Sequence, residues 1–408
     1  MKREEAKTTL KRLEKQCANI FSKIDDIALY NEEKVLNAFR EERVGLSSFN
    51  PSSGYGYDDI ARPKLSAIYA RIFNAESAFV SPNITCGTHA LYLALVGALK
   101  EGDTMLSITG APYDTLCDCI SSDECGSLKS LGIKFEQIGM QGNKINLAKA
   151  LKEISKKLPK MVYIQRSRGY TSRNTLSIEY LAEVIKEVKT ASPKTIVMVD
   201  NCYGEFCETR EPTEIGADLM AGSLIKNIGG GLAPTGGYIA GRKDLVENSA
   251  KRLTAPSLGS EVGSYNASYM PFFEGLFISP HVVGGALKGN ILLGKVAKQC
   301  GFNTSPSASA VPADIIRTIT FNNEEKFVKF VQNIQKLSPV DSFVRPEPYD
   351  MPGYQDKVIM AAGTFVQGSS IEISCDGPLK QPYIAYIQGG LTLEHIKIVA
   401  LDMLENNL

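Results

Sequence analysis

Short apolar runs alternate with amphipathic stretches over the first two thirds of the chain. The runs predict strands at 78–80, 104–108, 134–138, 161–164 and 195–200. Between them, apolar residues recur at helical spacing near 145–157 and 177–190. Strands and helices that alternate in this way form βαβ units, so the pattern predicts an α/β protein with a mostly parallel central sheet.

The two ends of the chain have different patterns. Residues 1 to about 43 are charged and helical in their spacing, which predicts an arm that lies on the body or on a second subunit. The last hundred residues predict a small α+β domain, with strands near 315–321, 358–365 and 370–374 and a final helix from about Leu393. The predicted domains are therefore an arm and loop at 1–55, a large α/β domain at 56–300 and a small domain at 301–408.

Composition narrows the class of partner. The chain has 408 residues, 43% of them apolar, and its 45 basic residues balance its 45 acidic ones. This balance argues against nucleic acid or an anionic membrane as the main partner. No stretch approaches the roughly 18 consecutive apolar residues of a membrane span, and the first residues carry no apolar signal segment. The nine cysteines lack zinc-ligand spacing, which predicts no metal and a reduced, cytoplasmic protein.

Polar residues with chemical potential stand where the predicted strands end. They are Thr88, Tyr113, Arg166, Asp200 and Lys226. In open sheets of this kind, ligands bind at the carboxyl ends of the strands. The convergence therefore predicts a ligand site at that edge of the sheet.

Each of these residues has an ordinary interpretation and a chemical one. Gly87 and Thr88 open a helix, which is either a simple strand-to-helix turn or an anion site. Asp200 is a helix cap or a buried carboxylate that needs a cationic partner. Tyr113 is a core residue or a ring that stacks on a ligand, and Lys226 is a solvated loop lysine or an amine for a Schiff base. Taken together, the chemical interpretations match the requirements of pyridoxal phosphate.

The chain also resembles the fold-type-I pyridoxal-phosphate enzymes of the Cys/Met-metabolism group. Val199-Asp-Asn-Cys-Tyr203 is similar to the group's Val-Asp-Asn-x-Tyr, and Ser223-Leu-Ile-Lys226 is similar to its Ser-x-x-Lys. The chain is identified more closely as a member of the methionine gamma-lyase-related, or aluminium-resistance, family. Six motifs indicate this, at 54–59, 165–170, 338–342, 351–354, 359–364 and 388–392.

The resemblance implies a role for each residue of the predicted cofactor site. Lys226 would form the Schiff base with the cofactor and later carry the Cα proton. Asp200 would pair with the pyridine nitrogen, and Tyr113 would stack on the ring and assist departure of the leaving group. The phosphate would be held by Gly87, Thr88 and Ser223.

Five further residues are implied in binding. Tyr57 and Arg62 resemble a Tyr and an Arg that reach across a dimer interface to the neighbour's phosphate, although they are spaced more widely here. Arg166 and Arg168 follow a strand end where the group places residues near the substrate. Lys380 stands where an arginine is expected, and a lysine cannot grip a carboxylate with two parallel hydrogen bonds.

The resemblance implies a carbon–sulfur lyase acting on a sulfur-containing amino acid, by elimination at Cβ or Cγ. It also implies a homodimer or homotetramer with a shared active site. Two alternatives stay open. One is an aminotransferase that uses the same cofactor. The other is a protein that binds the cofactor and serves a non-catalytic role in stress.

Overall fold

A computed structural model describes residues 1–351 and 355–408, so the motif at 351–354 lies mostly outside the described residues. The strands are β1 Ser77–Ser81, β2 Thr104–Ser107, β3 Lys134–Gln137, β4 Met161–Gln165, β5 Ile196–Asp200, β6 Leu219–Ser223, β7 Gly237–Gly241, β8 Asn303–Ser305, β9 Ile316–Thr320, β10 Val358–Ala361, β11 Ser374–Pro378 and β12 Ile384–Gln388. The helices are α1 Arg3–Lys15, α2 Ala18–Glu41, α3 Ala61–Ile72, α4 Gly87–Ala98, α5 Asp114–Ser121, α6 Leu147–Lys157, α7 Ile178–Ala191, α8 Lys243–Leu253, α9 Met270–Gln299, α10 Glu324–Lys336 and α11 Leu393–Asn406.

The first seven strands form one sheet in the order β1-β7-β6-β5-β4-β2-β3. Strands β2 to β6 are parallel, and β7 runs antiparallel to both of its neighbours. Every residue of β4, β5, β6 and β7 is buried, which explains why these strands are continuous apolar runs rather than alternating ones. The predicted α/β class and mostly parallel sheet are confirmed.

Helices on this sheet begin at residues suited to capping. The side chains of Asn146 and Ser177 accept hydrogen bonds from backbone amides in the first turns of α6 and α7. Helix α4 is apolar on most of its surface and packs in one core cluster with the strands. Its N-terminus is thereby fixed close to the end of β1, six residues earlier in the chain.

The last five strands form a second sheet, which is antiparallel throughout and has the order β10-β11-β12-β9-β8. One core cluster contains residues of α1, α9, α10 and α11 together with residues of this sheet. The predicted small C-terminal α+β domain is present. The predicted strand at 370–374 lies instead at 374–378, because the apolar residues Ile371 and Ile373 are buried within a loop.

The chain divides into two compact units. One consists of Met1–Glu32, Ile225–Leu232 and Gly275–Leu408, and the other of Glu33–Leu224 and Ala233–Glu274. We call them the helical-arm unit and the main-sheet unit. The predicted boundaries at 55/56 and 300/301 are not those of the two units. The difference arises because α1 packs with α11, and because most of α9 belongs to the same unit as the C-terminal strands and shares a core cluster with them.

Helix α9 is the one described helix that is long and apolar enough to cross a membrane by length and composition. The sequence had predicted no such segment because its apolar run is interrupted by glycines and lysines. Since 72% of its most apolar window is buried inside the structure, α9 has the surroundings of a core helix.

Candidate active site

In the main-sheet unit, three predicted residues come together at the N-terminus of α4. Gly87 is the first residue of this helix, and the Sγ atom of Cys86 accepts a hydrogen bond from the amide of His89 at 3.4 Å. The Tyr113 hydroxyl donates to Thr88 Oγ1 at 2.9 Å, and Thr115 Oγ1 lies 3.3 Å from the same atom. The helix start therefore offers free backbone amides. Beside them lie the hydroxyl groups of Thr88 and Tyr113, and the second of these is carried by an aromatic ring.

Gln165 positions Tyr113, although it was not among the site residues predicted from the sequence. The side-chain Oε1 of Gln165 accepts a hydrogen bond from the Tyr113 backbone amide at 2.9 Å. The backbone amide of Gln165 donates to Thr109 Oγ1 at 3.0 Å. Gln165 is the last residue of β4 and is buried. A polar residue that closes an otherwise apolar run was the signal that could have revealed it.

Asp200 is the last residue of β5, and only 1% of it is exposed. Its Oδ1 accepts from the Cys202 amide at 3.0 Å, and its Oδ2 accepts from the Tyr163 hydroxyl at 3.4 Å. Burial, followed by the nearby Asp200 carboxylate, raises the pKa of Tyr163 well above its ordinary value, so Tyr163 remains a donor. The structure thus places a hydrogen-bonded carboxylate at the buried strand end where it was predicted.

Ser223 closes the neighbouring strand β6 and is also buried. Strands β5 and β6 are parallel, and Asp200 pairs with Ala221. The carboxyl ends of the two strands therefore lie at the same edge of the sheet, as the sequence analysis expected.

Lys226 belongs to the other unit, in the segment Ile225–Leu232. It precedes the short 3-10 helix Asn227–Gly229, and the carbonyl of Asn227 accepts from the Ser279 hydroxyl at 2.8 Å. Gly230 has φ of 56°, and a Cβ atom there would overlap the carbonyl oxygen of Gly275. We call 226–231 the lysine turn. It is held against α9 by a contact that tolerates no side chain.

Tyr57 and Arg62 also belong to the main-sheet unit. Tyr57 is 61% exposed, and its ring stacks on Tyr55 with the centroids 5.3 Å apart. Arg62 is buried and donates hydrogen bonds to the carbonyls of Ser260 at 2.5 Å and Gly56 at 2.8 Å. It also lines an open cleft of about 1020 Å³. The role of both residues in a neighbouring subunit's site stays a prediction.

The three predicted substrate-binding cations have different surroundings. Arg166 is fully buried and hydrogen-bonded to the protein through Nε, Nη1 and Nη2, which is not the environment expected of a residue that awaits a substrate. Arg168 is 1% exposed. Lys380, in the helical-arm unit, has a largely exposed side chain that forms an ion pair with Asp356 at 2.7 Å.

Several groups in the main-sheet unit are suited to bind pyridoxal phosphate. The amides at the start of α4 and the hydroxyl of Thr88 suit a phosphate group, because a helix N-terminus favours negative charge. The ring of Tyr113 suits an aromatic ligand, and the buried Asp200 suits a protonated ring nitrogen. The residues present therefore match the phosphate, the ring and the ring nitrogen of this cofactor.

Known proteins resemble the chain over its whole length. A carbon–sulfur lyase involved in aluminum resistance from Clostridium novyi has a TM-score of 0.95 and 47% identity, covering 99% of this chain and 96% of that one. The Bacillus subtilis protein YnbB is 45% identical over 395 residues, which is 96% of this chain and 94% of YnbB. The pyridoxal-5'-phosphate-dependent protein YhfS from Escherichia coli, at 16% identity and a TM-score of 0.63, has the same fold.

An L-methionine gamma-lyase from Fusobacterium nucleatum is a more distant relative. It is 25% identical over 226 residues, covering 54% of this chain and 53% of the relative. The model of the family described as Methionine gamma-lyase matches residues 6–408, which confirms the resemblance drawn from the sequence motifs. The chain belongs to the Methionine gamma-lyase family.

Proposed function

We propose that the chain is a pyridoxal-phosphate-dependent carbon–sulfur lyase. It would convert a sulfur-containing amino acid and one water molecule to an α-keto acid, ammonia and a thiol, by elimination at Cβ or Cγ. The observation that carries the proposal is the buried Asp200 carboxylate at the end of β5, in a chain of this family. The Clostridium novyi carbon–sulfur lyase, at 47% identity, supports the same class of reaction.

When bound, pyridoxal phosphate supplies a protonated pyridine ring that withdraws electrons from the Cα of an attached amino acid. Asp200 keeps the proton on the ring nitrogen, since a buried carboxylate stabilises an adjacent cation. Gly87, Thr88 and Ser223 bind the phosphate. Tyr113 covers the ring, and its hydroxyl is already oriented by the hydrogen bond to Thr88.

Two side chains move protons in this proposal. Lys226 would hold the cofactor through its amine and would later remove the Cα proton of the substrate. The C–S bond then breaks, and the Tyr113 hydroxyl gives a proton to the departing sulfur. Elimination at Cγ requires the removal of a second proton, from Cβ. Arg168 and Lys380 are the proposed partners of the substrate carboxylate.

We also propose that Tyr57 and Arg62 complete the site of a neighbouring subunit in a homodimer or homotetramer. Two stacked tyrosines at the surface, one of them 61% exposed, are available to a partner. The open cleft lined by Arg62 provides a concave surface beside them. Closed two-fold assembly would supply this contact to both subunits at once.

The decisive experiment combines spectroscopy with thiol release. The purified protein with pyridoxal phosphate should absorb at about 420 nm, and borohydride should abolish this band and fix the cofactor covalently on Lys226 as a label. Lys226→Ala should lose both the label and thiol release from L-cystathionine and L-methionine, whereas Lys251→Ala, a change of an exposed lysine on α8, should lose neither. A wild-type protein that shows no such band, even after pyridoxal phosphate is added, would refute the cofactor and the function with it.

Further measurements separate the alternatives and test the shared site. Amino transfer to an added keto acid without thiol release would indicate an aminotransferase. A bound cofactor without any turnover would indicate a non-catalytic role. Mixing Lys226→Ala chains with Arg62→Ala chains should restore part of the thiol release if Arg62 acts across subunits. Mixtures as inactive as either variant alone would count against the shared site.

A further inference from the structure

The turn that follows Asp200 contains two bulky residues in a rare backbone conformation. Tyr203 has φ of 73° and Phe206 has φ of 60°. Residues with a Cβ atom seldom adopt this left-handed region, and they keep it only where the surrounding structure holds them there. Since the turn begins at the residue after Asp200, whatever holds residues 201–206 also bears on the Asp200 carboxylate.

Arg166 is the side chain at the centre of this turn. Its Nη1 donates to Asn201 Oδ1 at 2.7 Å and to the carbonyl of Gly204 at 3.1 Å, and its Nε donates to the carbonyl of Leu176 at 3.2 Å. A Cβ atom on Gly204 would overlap the guanidinium group. The turn therefore lies directly against a fully buried arginine.

Two glutamates compensate the buried charge of Arg166, and one of them, Glu211, also holds both ends of the turn. Glu208 Oε2 accepts from Arg166 Nη2 at 2.6 Å, and Glu211 Oε2 lies 3.8 Å from Nη1. Glu211 also accepts from Asn201 Nδ2 at 2.8 Å and from the Phe206 amide at 2.9 Å. Buried hydrogen-bonded networks of this kind hold one geometry strongly, because each unmade bond would leave a buried polar group unpaired.

The network reaches Asp200 through two backbone amides. The amide of Arg166 donates to the Asp200 carbonyl at 3.2 Å, and the amide of Cys202 donates to Asp200 Oδ1 at 3.0 Å. We propose that Arg166 is a positioning residue for Asp200: it fixes the 201–206 turn, and the turn fixes the carboxylate that would pair with the cofactor's ring nitrogen. The inference rests on the proposed function and replaces a substrate-binding role for Arg166.

The first test needs no cofactor. Hydrogen–deuterium exchange of the full-length protein should be at least about 10-fold faster over 201–206 in Arg166→Lys than in the wild type. Arg317→Lys is the matched control, since Arg317 is equally buried and donates to Asn290 and Pro306 in the other unit. It should leave exchange over 201–206 unchanged. Equal exchange in the wild type and Arg166→Lys would overturn the proposal.

The second test measures the protonation of the cofactor's ring nitrogen. With ¹⁵N-labelled pyridoxal phosphate bound, Arg166→Lys should move the ring-nitrogen signal towards the unprotonated position and lower kcat about 10–100-fold, with KM within about 2-fold of the wild type. A raised KM with kcat and the nitrogen signal unchanged would overturn the proposal in favour of substrate binding. If Arg166→Lys does not fold, Glu208→Gln must give the same faster exchange and the same nitrogen shift, or the proposal fails.

The two proposals fail separately. A wild-type protein that takes up no pyridoxal phosphate refutes the proposed function, and exchange over 201–206 still decides whether Arg166 holds the turn. Suppose instead that the wild-type protein releases thiol, and that Arg166→Lys has the same hydrogen–deuterium exchange and the same nitrogen signal. This result refutes only the positioning role.

Discussion

Gly230→Ala tests whether the close contact with α9 holds the lysine turn. Alanine at φ of 56° costs about 1–2 kcal/mol, because its Cβ atom crowds the following carbonyl. The new Cβ atom would also overlap the carbonyl oxygen of Gly275, and a backbone atom cannot rotate away as a side chain can. Overpacking of this kind costs about 1–3 kcal/mol. The expected loss in the free energy of unfolding is therefore about 2–5 kcal/mol.

Thermal unfolding of the full-length protein measures this loss. For a unit of this size, 1 kcal/mol corresponds to about 2–4 °C, so the midpoint should fall by about 4–20 °C. Gly285→Ala is the matched control, since it also lies in the helical-arm unit, within α9, and an added Cβ atom there meets no atom within 4 Å. Replacing a helical glycine by alanine should stabilise the protein by about 0.5–1 kcal/mol.

The lysine itself provides a second readout. If the contact positions Lys226, borohydride labelling of Lys226 in the presence of pyridoxal phosphate should be slower in Gly230→Ala than in Gly285→Ala. Equal midpoints for the two variants would refute the reasoning about the contact. A lower midpoint with unchanged labelling would show that the contact stabilises the fold without positioning the lysine.

Two further predictions concern groups beside the predicted site. Burial lowers the pKa of His89 below its ordinary 6.5, so the unfolded chain takes up a proton that the folded chain refuses, and stability should be lost as the pH falls through 6.5 towards the folded pKa. Denaturant unfolding between pH 7 and 5 should show a smaller loss for His89→Asn, and equal losses would contradict this role. Burial, then Asp114 and Asp118, raises the pKa of Cys117 to about 11, so iodoacetamide at pH 8 should modify the exposed Cys125 well before Cys117. Peptide mass spectrometry gives the order, and the reverse order would contradict the prediction.

Much of the main sheet could be predicted because its strands are buried on both faces. A strand of this kind is a continuous apolar run, and the first polar residue after it marks the edge where ligands bind. Asp200 was found in this way. Thr88 was found by a different local signal, because with Gly87 it opens the helix that follows a strand. The local pattern alone was enough for both.

Other site features depend on which strands are neighbours. Tyr163 lies inside an apolar run and has the pattern of a core residue, but the pairing of β4 with β5 brings its hydroxyl to Asp200. Arg166 looked like a substrate-binding residue because it follows a strand end. Its contacts with Asn201 and Gly204 arise from a turn 35 residues later, which no local pattern reveals.

The compact units were the least predictable feature, because segments distant in the chain form them. The eight residues Ile225–Leu232 pack with the C-terminal part of the chain rather than with the strands on either side of them. A boundary drawn from composition follows the chain and cannot show this. The tight contact between the glycines at 230 and 275 becomes visible only in three dimensions.

Because the segments of the two units alternate along the chain, the protein cannot be truncated or recombined at a single point without dividing a unit. The helical-arm unit is assembled from three separate lengths of chain, so no single continuous fragment contains it. A truncation after residue 300 would leave the lysine turn without Leu391, whose side chain a Cβ atom on Gly231 would overlap. Recombination between relatives at that point would likewise join a lysine turn from one parent to packing partners from the other. Exchanges that keep the whole helical-arm unit from one parent must therefore replace three segments together.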